Sequence, residues 1–448
     1  MRASASLGIM LGSAAMLVPC GAAVAQVTTI PSLSATVGGA YSTNPFLSVE
    51  GEDSASVQLD VRPSVQLIEG TNEAVISANY NRADYLTNYG SNNGYGVSLS
   101  AGTRPNPRTS LGITASFDSQ ILGAQNGFIS PISPVGTPPV VGLPSTPVGG
   151  DLGTSPVVTT PVVTTPVVTT PFDPVVNGDV GLFGLRQRRN ALSAGLNGSY
   201  VPDARSTWNA GISVQRSSYP DQSDNLGEQN IFASNFRTYS ANMGYTRALS
   251  ERSSVGLQLS ASHVEYARGF DSEIYTPRIT YSRTLSERLN FSGGIGAGIT
   301  RDTGGTNVIV SVDGSLCRSG DRLQGCIVGS RTPSPTGFGG VRVQNSLGAN
   351  VGYRVDAVTN ASLSANYVRI GGTQSDVFPD QAIGSQNYFN GDASVQRRLG
   401  RIFSAVASVS YRSAGGIGNL APNGFAGGDV PGDVTGRLGI SVFLGPNR

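Results

Sequence analysis

His263 is the only histidine in the sequence, so it is the one candidate for the imidazole base that barrel proteases and lipid hydrolases pair with Ser or Asp. Its spacing argues against that work. It continues the apolar phase of Val255, Leu257, Leu259 and Ala261, and alternate residues of a strand share a face. The imidazole is therefore expected on a greasy outer face, away from any nucleophile. Gly293 to Gly298 read as strand and not as a phosphate cradle, and no nucleotide or zinc motif occurs. Acidic pairs such as Asp221 with Asp224 and Asp271 with Glu273 fall in polar connections, where such pairs arise by chance. No enzyme activity, cofactor or metal is expected.

Three cysteines are present. Cys20 falls in the amino-terminal apolar run and is expected to leave with it. Cys317 and Cys326 sit in a Gly, Ser and Arg-rich stretch, and in an exported protein such a pair reads as a loop disulfide. A metal pair would need further Cys or a second His.

Charged side chains are the remaining chemistry. Asp60 and Arg62 alternate with Val57, Leu59 and Val61, and Arg278 alternates with Ile279 and Tyr281. On strands these three would project to the inner face, where they either set the field felt by a solute or pair with one another to fill the interior. Arg186, Arg188 and Arg189 follow the longest connection, at a rim where guanidinium groups could meet lipopolysaccharide phosphates or an anionic polymer. The chain has no Lys, and its formal net charge is +1. That leaves no electrostatic case for nucleic acid.

The elements that would position these residues are strands. Apolar side chains alternate with Ser, Gly, Asn, Gln and Thr over segments of about ten residues, the period-two signature. Tyr95, Val97, Leu99 and Ala101 form one such face; Leu111, Ile113, Ala115 and Phe117 another; Phe403, Ala405, Ala407, Val409 and Tyr411 a third. Only 13% of residues are charged, about half the usual share for a soluble enzyme.

Short and long connections take turns along the chain. The short ones fall at 70–73, 104–108, 201–205, 249–252, 285–288, 355–360 and 399–401, and the long ones near 43–53, 86–94, 119–183, 218–235, 267–273, 302–344, 371–386 and 413–432. This predicts an all-β fold, a transmembrane antiparallel up-and-down barrel of about sixteen strands with both termini periplasmic. Lipid offers no partner for backbone groups, so a spanning sheet must close on itself. Tyr200, Tyr245, Tyr281 and Tyr353 precede short turns and are expected to form a periplasmic aromatic girdle.

Residues 1–25 carry Arg2, an apolar run and Ala23-Val24-Ala25, the marks of a cleaved secretory signal. Residues 26–448 would be the barrel, with a low-complexity loop at 131–176. In that loop Pro156-Val157-Val158-Thr159-Thr160 repeats twice more, and proline every fifth residue prevents a central strand.

Two hairpins nearly copy each other, Tyr245-Thr246-Arg247-Ala248-Leu249-Ser250-Glu251-Arg252 and Tyr281-Ser282-Arg283-Thr284-Leu285-Ser286-Glu287-Arg288. With the early Tyr41-Ser42-Thr43-Asn44-Pro45, the pattern resembles the outer-membrane β-barrel porin family associated with exopolysaccharide biosynthesis and export clusters in Gram-negative bacteria. The resemblance implies outer-membrane location and a pore or scaffold that assists polysaccharide export, with polysaccharide and periplasmic export components as partners beside outer-membrane lipid. Two alternatives stay open: a general or sugar-selective diffusion porin, and a surface adhesin displaying the Pro/Thr-rich loop.

Overall fold

Alternation of β-branched and small polar residues disfavours helix and suits a pleated sheet with two unlike faces, and strands are what the chain forms. The structure, a computed structural model, describes residues 27–48, 51–124, 186–220, 234–267, 269, 271–302, 305–337, 340–371, 373–374, 382–416 and 430–445. The expected signal at 1–25 and the Pro/Thr-rich segment 131–176 lie outside the described residues.

The wall is built from β1 (Thr28–Ser42), β2 (Ser54–Glu69), β3 (Asn72–Tyr85), β4 (Ser91–Asn106), β5 (Thr109–Ile121) and β6 (Arg188–Asp203). It continues through β7 (Ser206–Ser218), β8 (Phe236–Ser250), β9 (Ser253–Tyr266), β10 (Asp271–Ser286), β11 (Leu289–Asp302) and β12 (Gly305–Arg318). Then come β13 (Leu323–Pro335), β14 (Val341–Arg354) and β15 (Thr359–Ile370), and last β18 (Gln386–Arg398), β19 (Phe403–Gly415) and β20 (Asp433–Leu444). A two-residue pair, β16 (Thr373–Gln374) with β17 (Ala382–Ile383), sits in the connection before β18.

Each wall strand pairs antiparallel with the next. β1 pairs with β2 from Thr28↔Ile68 to Ser42↔Ser54, and its other edge pairs with β20 from Leu33↔Leu444 to Ser42↔Thr435. The 18-stranded sheet is thereby closed, so every wall strand has a partner on each side over at least part of its length.

The count corrects the expected sixteen. The extra strands are β12 and β13, which occupy the stretch 302–344 expected to be a long connection. Glycines 314, 320, 325 and 329 and arginines 318, 322 and 331 dilute the apolar phase there. Pairing restores it: Val308, Val310, Val312 and Leu316 lie opposite Ile299, Ala297, Ile295 and Phe291 of β11.

This places Cys317 and Cys326 differently as well. They are directly opposed on β12 and β13 and joined by a bond of 2.14 Å, a tie across the wall beside a short turn and not a staple within a long loop. Both fall on the inward phase, since Leu316 and Ile327 are the exposed outward residues beside them.

Short turns gather at one end of the barrel together with the Thr28 and Leu444 ends of β1 and β20, and the longer connections gather at the other. The outer face is apolar. Leu196, Ile212, Leu257, Ile279, Ile295, Leu347, Val409 and Leu438 all point outward and are at least half exposed. Tyr200, Tyr281 and Tyr353 rim this band at the short-turn end, with Tyr245 packed at a tilt against Trp208, ring centroids 4.7 Å apart. Tyr41, Tyr95, Tyr239, Tyr275, Tyr367 and Tyr411 rim it at the other. An apolar band framed by aromatic girdles is what two headgroup layers select.

Candidate functional site: the barrel lumen

Inward positions carry small hydroxyls, and these meet across the wall. Ser32 with Ser64, Ser77 with Ser98, Ser110 with Ser199, Ser254 with Ser282, Ser292 with Ser315 and Ser362 with Ser394 hydrogen-bond at 2.6–2.7 Å. A hydroxyl both donates and accepts, so such a wall is polar without being charged. Closing eighteen strands gives a backbone diameter of about 35 Å. Serine side chains cannot fill that width, so the connections set the passage.

The lining is asymmetric. On the inner faces of β4–β8, Ser98, Thr114, Asn197, Ser213, Gln215 and Asn242 are exposed. On β2 and β18–β20, Ser56, Gln58, Asp60, Ser394, Ser408, Thr435 and Arg437 are all buried.

The expected lumen charges, Asp60, Arg62 and Arg278, lie on the inward phase, and each has a partner. Arg62 Nε is 2.8 Å from Asp60 Oδ1. Arg278 pairs with Asp313 of β12 and donates through Nε to Gln258 Oε1 at 2.8 Å. The three expected rim arginines do not converge. Arg186, with φ of 51°, lies over the Phe46 ring at 4.6 Å and donates to the Tyr89 carbonyl at 2.9 Å. Strand alternation then sends Arg188 outward, to Asn93 Oδ1 at 2.7 Å, and Arg189 inward, to Ser217 Oγ at 3.4 Å. His263 is on the outer wall, 3.8 Å from Glu265 and opposite Tyr239 and Glu273.

At the long-connection end the lumen narrows. Leu47, Leu122, Tyr219 and Val430 come from connections and join one buried apolar cluster with Phe236, Val264, Tyr266, Ile274, Val368, Ile370, Tyr388 and Ala414. Those strand residues are on inward phases, so these four connection residues pack inside the mouth. Phe46 and Tyr85 form a second cluster with Ala83 and Ile121.

Arg412 of β19 pins these inward turns. Its Nη2 donates to Asp433 Oδ2 at 2.6 Å and to the Pro45 carbonyl at 3.1 Å, and its Nη1 donates to the Gly123 carbonyl at 2.7 Å. Asp433 in turn accepts from Ser42 Oγ at 2.6 Å, from the Asn44 backbone N–H at 3.0 Å and from Thr435 Oγ1 at 2.9 Å. Two backbone segments far apart in sequence are thus tied to one buried ion pair.

Sequence reasoning missed Arg412, Asp433, Asp313 and Arg437. The signal existed for Arg412, because the greasy face ending at Val409 and Tyr411 puts residue 412 on the inward phase.

No family model and no curated protein matches this chain. Solved structures do. The Pseudomonas aeruginosa protein OpdQ matches with a TM-score of 0.41 and 10% identity, covering 94% of this chain and 98% of that one. OccK2 (OpdF) of the same organism gives a TM-score of 0.42 and 10% identity over 93% and 98%. The FrpB iron transporter of Neisseria meningitidis gives 0.44 and 11% over 91% of this chain and 67% of its own. These are likenesses of outline; what the lumen can do follows from its own residues.

Proposed function

We propose that the protein is a diffusion porin of the Gram-negative outer membrane that passes small, neutral, polar solutes such as sugars. The observation that carries this reading is the hydroxyl-lined inner wall, left open along β4–β8 while Asp60 with Arg62 and Arg278 with Asp313 neutralise each other locally. Such a wall exchanges hydrogen bonds with a sugar as readily as with water, and the open face presents hydroxyl and amide groups to it at Ser98, Thr114, Asn197, Ser213, Gln215 and Asn242. The outer band, with aromatics at both margins, suits a bilayer on all sides, and the short turns would face the periplasm. Arg188, Arg216 and Arg237, outward at the opposite rim, would meet lipopolysaccharide phosphates.

Reconstitution of the full chain in planar bilayers tests the reading. Stable ion conductance and sugar-dependent swelling of proteoliposomes are expected; a silent barrel overturns it. Passage of a polysaccharide is the second reading. The same hydroxyl wall and the family resemblance favour it, whereas connections packed inside the mouth favour smaller cargo. Unchanged polymer secretion after deletion of the gene would remove it.

A further inference from the structure

The wall is not zipped along its whole height. β12 pairs with β11 from Leu289↔Arg318 to Asp302↔Gly305, but its ladder with β13 runs only from Arg318↔Gly325 to Val312↔Arg331. Beyond that point β13 keeps its partner on the far side, from Thr332↔Gln344 to Pro335↔Val341. No described residue is in register with the other edge of Gly305–Ser311.

The cause is legible in the residues. Pro333 and Pro335 cannot donate to a ladder, and proline is tolerated where an edge is left open. The two flanks of the β13–β14 connection, Thr336–Gly337 and Gly340, are also drawn into the lumen. Tyr266 Oη donates to the Gly340 carbonyl at 2.6 Å, the Ser234 N–H donates to the Gly337 carbonyl at 2.6 Å, and Thr336 is fully buried. Pro333 lies against the inner side of β11. A methyl group at Gly298 would stand 3.0 Å from its Cδ and 2.9 Å from Ile309 Cγ1, so the glycine is what admits this approach.

The open edge lies near the top of the apolar band, where Val308 and Val310 are 68% and 58% exposed. Arg331 stands exposed at the fork, with Nη1 donating to Asn345 Oδ1 at 3.0 Å. Behind the fork Val341 packs against the lumenal cluster that holds Tyr266, Val264 and Ile274.

We infer that this seam is a lateral entry for a single-chain amphiphile with an anionic head, drawn from the surrounding leaflet. The inference rests on the bilayer reading of the outer wall but not on conductance. The acyl chain lies along Val308 and Val310 and reaches the apolar lumenal cluster. The head takes the Arg331 guanidinium and the open backbone groups of β12, which have no partner strand among the described residues.

The test uses the full chain in nanodiscs and a dansyl-labelled undecanoic acid as probe. Saturable binding is expected. Ser311→Cys with Thr332→Cys, the next register pair above the fork, should when oxidised close the seam and weaken binding by about tenfold or more, with recovery on reduction. Wild type taken through the same redox cycle controls for Cys317–Cys326. Arg331→Gln combined with Val310→Glu should weaken binding to a similar degree without any new bond. Absence of saturable binding by wild type overturns the inference, as does unchanged affinity in both variants. So does capture of a second chain by Val308→Cys cross-linking, which would make the edge a pairing site. Failure to conduct ions would count against the porin reading and leave these results intact.

Discussion

Arg412 and Asp433 form an ion pair at 2.6 Å with side chains 5% and 0% exposed, on adjacent strands inside the barrel mouth. Burial of both charges is tolerable because every direction is used, with two backbone carbonyls on the guanidinium and four donors besides Arg412 on the carboxylate. Removing one partner strands the other. Arg412→Ala should destabilise the barrel by about 3–5 kcal/mol, release the turns at Pro45 and Gly123, and raise single-channel conductance with added flicker. Replacing both residues by Leu should recover much of the stability but not the narrow conductance. Heat-modified mobility in SDS gels and bilayer recordings give the two readouts, and unchanged conductance in both variants would refute the pinning role.

Arg278 and Asp313 neutralise each other lower in the lumen. Asp313→Asn leaves a net cation there and should shift reversal potentials towards anion preference, whereas Arg278→Gln should shift them towards cations. With side chains 25% and 36% exposed, the pair is expected to contribute only about 0.5–1 kcal/mol to stability. The two variants should therefore assemble normally.

The outward and inward phases predict opposite tolerance of charge. Ile279→Arg places a guanidinium on the apolar band, where Ile279 is 58% exposed, and should cost about 2–4 kcal/mol. Gln215→Arg, on the open inner face, should cost little. Urea titration of folded barrels in vesicles compares them, and equal losses would contradict the assignment of faces.

Cys317 and Cys326 join strands that already pair on both sides of the bond. Serine at both positions should lower stability by about 2–3 kcal/mol, the loop-closure value for a short loop, with the barrel still closing. Gel mobility with and without reductant checks this; complete failure to assemble would show that the bond is required to recruit β12 and β13.

Asp356, in the turn between β14 and β15, accepts the Val358 and Thr359 N–H groups at 2.7 Å each. These bonds hold its carboxyl below the ordinary value of 3.8, led by the Val358 N–H. A depressed folded-state value means the turn is stabilised above the unfolded pKa, and that contribution is lost as pH falls through the folded one. The advantage of wild type over Asp356→Ala should be full at neutral pH and vanish in strong acid. A gap that persists at the lowest pH would exclude the carboxylate as its source.

Local alternation is enough to declare the wall. Leu257 beside Gln258 and Ile279 beside Thr280 assign outer and inner faces before any pairing is known, because a strand turns successive side chains to opposite sides. Lipid and water then decide which face is which. The amino-acid sequence therefore determined by itself that this is an all-β chain with an apolar exterior, a hydroxyl-rich interior and tyrosines ahead of its tight turns. Tertiary structure alone decided how many strands close the ring, since Val308 to Leu316 become a strand by lying against β11. It alone decided which charges meet as well. Asp433 meets Arg412 across the β19–β20 pair, but Ser42 and Asn44 reach that ion pair only when closure brings β20 back to β1, and Pro45 and Gly123 only when their connections turn inward. The split above Val312 and Arg331 belongs to the same class, set by a hairpin pulled towards Tyr266 on a distant strand. Phase is a property of neighbours along the chain, whereas register, closure and convergence depend on partners hundreds of residues away.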